Sequence, residues 1–319
     1  MAFNHADLAA YVKQNAKTLI AKQLTTAQTA DIIARGGMVL TEVKTSEKIG
    51  QMETDAILQD GAGCGFTPSG TTRFSEREVT VGKIKVEEAL CLADLEAKYT
   101  QELLSAGARY DDPSDFDFNQ FWIDRKIAQT GNAVEKLIWQ GDKQSLDGQL
   151  NRIDGLIKLL SGTAGVVQAN HADYVEGGAA LAKIDATNIM KAMDAIFLAT
   201  PEEIIDGADM TYFIGSHWFR FLKLAIRNSN YFHYDPQKDR NIIYVPGSEM
   251  KIQRVNGLNG KNHIFGIRLS NIVAGTDLLD DFTNIKVWFD ENTELVKYSN
   301  KFKYGLNVGF TEEVVEFSI

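Results

Sequence analysis

Residues 116–160, FDFNQFWIDRKIAQTGNAVEKLIWQGDKQSLDGQLNRIDGLIKLL, decide the reading of this chain. Phe118, Trp122, Ile127, Val134, Leu137 and Ile138 recur close to a 3.6-residue period, which predicts one long helix with a single apolar stripe. Asp115 and Asp117 stand at or before its start, where carboxylates meet exposed amides and the positive end of the dipole. Gly141 follows its last turn as an exit residue, and Ile153-Asp154-Gly155-Leu156 opens a second apolar segment after a polar stretch.

On the N-terminal side, Leu8, Tyr11, Val12, Ala16, Leu19 and Ile20 share one helical face over about residues 7–24, and Gly36-Gly37 closes that arm. From Met38 to about Leu92 the texture turns to short alternating stretches broken by Gly61-Ala62-Gly63-Cys64-Gly65 and Pro68-Ser69-Gly70. Thr72 to Val86 reads as extended chain, too polar for a core, with Arg73, Glu76, Arg77, Glu78, Lys83 and Lys85 between Val79, Val81, Ile84 and Val86. A helix is expected over Glu87–Ala106.

Beyond Leu160 a second lobe begins. It should contain a helix over Ala186–Ala199, a Thr200-Pro201-Glu202-Glu203 capping signal, an apolar strand Met210–Ile214 and a Trp218-containing helix opened by Ser216. The loop Asn228–Arg240 follows, then strands at 241–245, 250–255 and 263–267 with turns at Asn256-Gly257 and Asn259-Gly260. The tail from Ile285 is strand-like throughout, with Gly305 and Gly309 as breaks.

This order of elements resembles the tailed-phage major capsid proteins with the Hong Kong 97-type fold. The likeness rests on the long helix with its Trp-Gln-Gly-Asp exit, the polar extended segment before it, and the strand and Trp-containing helix after it. It implies an α+β fold divided into an N-terminal arm (1–37), an extended loop (38–92), a peripheral domain with a spine helix (93–160), an axial domain (161–284) and a return to the peripheral domain (285–319). It also implies a non-enzymatic protein without cofactor or metal. Its copies would form pentamers and hexamers of an icosahedral shell that encloses double-stranded DNA without sequence-specific binding.

In that family the extended loop lies across a neighbouring subunit, which makes Arg73, Glu76, Arg77, Lys83 and Lys85 interface candidates. Tyr231, Phe232 and Tyr234 of the 228–240 loop would pack around a capsomer axis, since aromatic rings in a polar segment anchor interfaces. The resemblance further implies a separate scaffolding protein, a portal, a decoration partner, and a place in the virion capsid after assembly in the host cytoplasm. Some relatives carry a Lys–Asn isopeptide crosslink promoted by a Glu. Lys44, Lys48, Lys83 and Lys85, with Asn292 or Asn300 and Glu294 or Glu313, are the residue types for it, and ordinary solvated side chains explain them more simply.

Composition agrees with that class without selecting it. The chain has 319 residues, 44% hydrophobic and 24% charged, and a formal net charge of −10. An acidic balance argues against gripping nucleic acid by phosphate neutralisation, and suits a wall along which DNA slides. No apolar run is long enough for a membrane span, and the first residues lack a signal-peptide pattern, so a cytoplasmic protein with no membrane is expected. Cys64 and Cys91 should be reduced thiols.

The Gly61–Gly65 run lacks the strand and helix of a phosphate loop, and Asp111–Asp117 lacks the Gly and closing Glu of a calcium loop. His5, His171, His217, His233 and His263 have no ligand spacing. An encapsulin-like nanocompartment shell shares the fold, and a soluble cytoplasmic α+β enzyme would also permit the acidity and the two lobes.

Overall fold

The computed structural model describes residues 5–55, 57–58, 68–91, 118–205, 207, 209–228, 241–244, 251–277 and 285–319. The long helix is present as α3 (Phe118–Gln140). Asp115 and Asp117 lie outside the described residues. Helices α1 (His5–Thr26) and α2 (Gln28–Gly36) precede it, separated by the extended backbone of Ala27. The helix α1 lies along α3, where Val12 and Leu19 bury against Ile123 and Ile127. Gly131, unfavourable in a helix interior by about 1 kcal/mol, is explained by this crossing: a Cβ there would sit 2.7 Å from Thr26 Cβ and 2.8 Å from the Gln23 carbonyl.

The exit turn is stitched through backbone. Gly141 N–H donates to Leu137 O and Gly155 N–H donates to Gly141 O. A side chain at Gly155 would meet Gly141 N at 2.7 Å, so the two chain segments touch main chain to main chain. Lys158 of α4 (Leu156–Leu160) pairs with Asp142 and with Asp154, tying the short helix back to the turn.

Strands form three sheets. The first contains β1 (Met38–Leu40), β4 (Gly82–Cys91), β10 (Ile272–Thr276), β11 (Lys286–Asp290) and β12 (Leu295–Val308). Its order is β1-β10-β12-β11, and β4 also runs antiparallel to β12, from Leu295↔Cys91 to Tyr304↔Gly82. A six-stranded sheet has the order β5-β13-β9-β6-β8-β7. Its members are β5 (Val167–Gln168), β6 (Met210–Gly215), β7 (Ile242–Tyr244), β8 (Lys251–Val255), β9 (His263–Arg268) and β13 (Val315–Ser318). The third sheet is the hairpin of β2 (Ser46–Thr54) and β3 (Thr72–Thr80).

The six-stranded sheet is buried on both faces. Tyr212 and Ile214 pack with α5 (Ile189–Ala199) and α7 (Ser216–Asn228), whereas Phe213 and Phe265 point the other way onto Trp139 at the end of α3. Trp139 is fully buried, with its ring 5.3 Å from Phe213 and 5.8 Å from Phe265. The long helix thus joins the sheets: its first half packs on α1 and the first sheet, its last turns on the second.

Several expectations change. Thr72–Val86 is not wholly a projecting segment, because β4 is a half-buried strand whose Ile84, Val86 and Leu90 face the cores while Lys83, Lys85 and Glu87 face solvent. Period-two alternation at half burial makes one face look like a solvated loop. For the same reason Glu87–Cys91 is strand rather than helix; the rest of the expected 87–106 helix lies outside the described residues.

The 186–199 helix begins at Ile189, since the Asp185 carboxylate ties the Thr187 and Asn188 amides into a turn. Thr200 caps nothing ahead of it: its hydroxyl donates to Ile196 O at 2.7 Å and meets the buried Tyr212 hydroxyl at 2.8 Å. The short α6 (Glu202–Ile205) starts without it. The Asn-Gly turns do not close a β8–β9 hairpin, because β6 inserts between those strands. Gly305 falls inside β12 instead of breaking it.

Candidate assembly surfaces

The outer half of the hairpin exposes its large apolar side chains. Its strands pair from Ser46↔Thr80 to Thr54↔Thr72, with Lys48 opposite Glu78, Glu53 opposite Arg73 and Met52 opposite Phe74. Met52 is 61% exposed, Phe74 78% and Leu58 98%. A two-stranded ribbon is marginal in water, and a large exposed apolar pair at its far half is a place where another surface gains by covering it.

At its root the ribbon is held tightly. Val79 and Val81 are buried, Val81 N–H donates to Thr45 O at 2.9 Å, and Asn307 of β12 donates to Glu78 O at 2.7 Å. The Arg77 guanidinium donates to Asn307 Oδ1 at 3.2 Å, and its burial lowers its pKa from the ordinary arginine value.

Two glycines make this seat. Gly275 and Gly305 are register partners across β10 and β12. A Cβ at Gly305 would lie 2.2 Å from Thr80 O, and one at Gly275 would lie 3.0 Å from both Val79 and Val81. The first clash is with backbone and cannot be relieved by a rotamer change. Gly305→Ala is therefore expected to destabilise the chain by about 2–3 kcal/mol, in the upper range for an overpacked site, read as a shifted urea midpoint. An unchanged midpoint would show that the hairpin root is free to move.

The interface candidates divide accordingly. Arg73, Glu76 and Arg77 lie on β3, where Glu76 pairs with Lys48 at 2.6 Å and that contact raises the Lys48 pKa. Lys83 and Lys85 lie on β4, in the first sheet. Tyr231, Phe232 and Tyr234 lie outside the described residues. Of the crosslink types, Lys44 pairs with Asp277 at 3.1 Å, Lys85 with Glu87 at 2.7 Å and Glu313 with Arg268 at 3.2 Å. Asn300 is buried with its amide on Gln23 Oε1 at 2.6 Å, while Asn292 and Glu294 occupy the exposed β11–β12 turn.

Sequence reasoning missed two buried carboxylates that organise the body. Glu135 of α3 accepts from Thr29 N at 2.7 Å, Thr29 Oγ1 at 2.8 Å and Gly257 N at 3.3 Å, and Trp139 Nε1 donates to the same Thr29 hydroxyl at 2.7 Å. Burial raises the Glu135 pKa, and these donors offset it only in part. Glu316 of β13 takes bonds from Ser161, from Gln168 Nε2 at 2.8 Å and from His263 Nδ1 at 2.8 Å. Burial works against its charge as well, but here the His263, Gln168 and Ser161 bonds prevail and lower its pKa. Neither residue carries a local signal, because a buried Glu inside a helix or strand reads as a solvated one.

No protein-family model matches the sequence, and no curated protein matches it either. Solved structures do. A chain of the satellite phage P4 procapsid, which includes the size determination (Sid) protein, aligns over 94% of this chain and 89% of its own, with TM-score 0.60 at 12% identity. The capsid of the empty GTA particle aligns over 90% and 89%, with TM-score 0.53 at 12% identity. A chain from Gordonia phage Cozz aligns over 90% and 85%, with TM-score 0.54 at 9% identity. At such identities the backbone is what is shared, and the chain has the mixed α+β fold of phage capsid proteins.

Proposed function

We propose that the chain is a major capsid protein of a tailed bacteriophage, self-assembling into the icosahedral head shell that encloses double-stranded DNA. The observation that carries this reading is coverage: the likeness to the procapsid chain runs through 94% of this chain. In its finer form the fold is of the Hong Kong 97 type. Residues 1–37 act as the N-terminal arm, the β2–β3 ribbon is the projecting part of the extended loop, and α3 is the spine of a peripheral domain completed by the returning tail. The six-stranded sheet belongs to the axial domain, whose 228–240 loop carries Tyr231, Phe232 and Tyr234 to the capsomer axis.

The function is interface chemistry. Each contact can be modest, since a subunit held by several neighbours has a high effective concentration at every site and closed symmetry leaves no free edge. The exposed Met52–Phe74 pair on the two-stranded ribbon favours this over a self-sufficient monomer. A separate scaffolding protein, a portal and a decoration protein are the partners it would meet in a virion assembled in the host cytoplasm. Purified at micromolar concentration, the protein should give pentamers, hexamers or shells by sedimentation and negative-stain microscopy. A strict monomer across a broad range of salt and pH would overturn the reading.

A further inference from the structure

In the antiparallel β4–β12 pair, Lys85 stands directly opposite Lys301 and Lys83 directly opposite Lys303. Residues two apart on a strand share a face, as do directly opposed residues, so the four ammonium groups form a grid on one side of the sheet. Like charges in directly opposed positions destabilise a sheet. The opposite face of the pair is the covered one, where Ile84 and Phe302 pack in the core and Arg152 O closes over Gly82.

Neutralisation within the chain is partial. Lys85 and Lys301 share Glu87, at 2.7 and 3.5 Å, and Lys303 shares Asp277 with Lys44. Lys83 has no carboxylate partner among the described residues. A chain with net charge −10 therefore concentrates unbalanced positive charge on one face of this strand pair, against its own stability.

We propose that this face binds the phosphate groups of a polyanion, with the phosphodiester backbone of a nucleic acid as its source. The phosphate site stands on the cation grid alone; the choice of nucleic acid rests on the capsid reading, which brings packaged DNA against the wall. The lysine stems leave the backbone about 6.7 Å apart along each strand and about 5 Å apart across the pair, so their flexible side chains can serve several phosphates at once. Lysine ammonium groups are compact point charges suited to phosphate oxygens without bidentate geometry. Binding relieves the opposed charges, so the ligand stabilises the folded chain.

The test compares the full chain with the Lys83→Gln/Lys301→Gln variant, in which each opposed pair loses one charge. Labelled duplex DNA and inorganic tripolyphosphate serve as probes, and shell formation is scored in parallel by negative stain. The slope of log affinity against log salt is about −0.9 per phosphate neutralised, so the unmodified chain should show about −4 and the variant a slope shallower by about 2. Tripolyphosphate should raise the melting temperature of the unmodified chain and leave the variant's unchanged. Failure of the unmodified chain to form shells tells against the capsid reading and not against this site.

A tripolyphosphate response without DNA binding supports the phosphate site and assigns free oligophosphate as its source. No binding of either probe at low salt overturns the proposal, as does equal binding by both proteins. Loss of shells in the variant with DNA binding unchanged also overturns it, since the cations would then meet acidic residues of another copy.

Discussion

Glu135→Ala should destabilise the fold by at least about 3 kcal/mol, because it strands the Thr29 amide, the Thr29 hydroxyl and the Gly257 amide in a dry interior, at about 1–3 kcal/mol per unsatisfied group. The loss should exceed that of an ordinary surface carboxylate, since this side chain joins three parts of the chain: the α1–α2 junction, the last turns of α3 and the turn after β8. Gly257 shows how closely they meet: a Cβ there would fall 2.1 Å from Trp139 Cδ1. Glu135→Gln should be milder, keeping one acceptor oxygen while turning an amide toward the Thr29 donors.

The two variants also separate by pH. Burial raises the folded-state pKa of Glu135 above the unfolded value of about 4.3, so the folded chain binds this proton more tightly. Its contribution is complete below the unfolded pKa and declines as pH rises through the folded one. The stability gap between wild type and Glu135→Gln should therefore narrow as pH rises across that window, in urea titrations at stepped pH. Tyr304, buried nearby and itself raised by burial and by the Glu135 charge, stays neutral there and adds no slope. A gap independent of pH would mean that Glu135 is ionised in both states throughout the range.

Replacing residues 50–76 by a short Gly-Ser connector should abolish closed shells while moving the melting temperature by only a few degrees. Among the described residues the excised ribbon contributes no buried large apolar side chain, whereas the retained Val79 and Val81 are buried in the sheet. Keeping Arg77 also preserves its bond to Asn307. Extending the deletion through Val81 should instead unfold or precipitate the chain, since it empties the seat over Gly275 and Gly305. Shells of normal yield from the shorter deletion would remove the ribbon from the assembly contacts; a collapsed melting temperature would place it in the core.

Local periodicity was enough for the elements that bury a continuous stripe or run. The long helix, its Gly141 exit, the N-terminal helix, the strand at 210–215, the Trp218 helix and most tail strands are legible in residue spacing, because each must present apolar side chains at a helical or extended period to leave water at all. Their order carried the resemblance to capsid proteins. Spacing alone misjudged β4, whose charged face hid a half-buried strand, and could not show that β6 inserts between β8 and β9, since strand order is set by packing between distant segments.

The same limit governs the polar centres. Glu135 with Thr29 is a contact across 106 residues, Asp277 with Lys44 one across 233, and the opposed lysines of β4 and β12 exist only in the paired register. The sequence determined which segments are helix or strand and where the chain turns, because those follow from side-chain period and backbone sterics within a few residues. Tertiary structure decided which charges are buried, which are opposed and which surface stays uncovered, because burial and Coulomb energies depend on distances that only the folded chain defines.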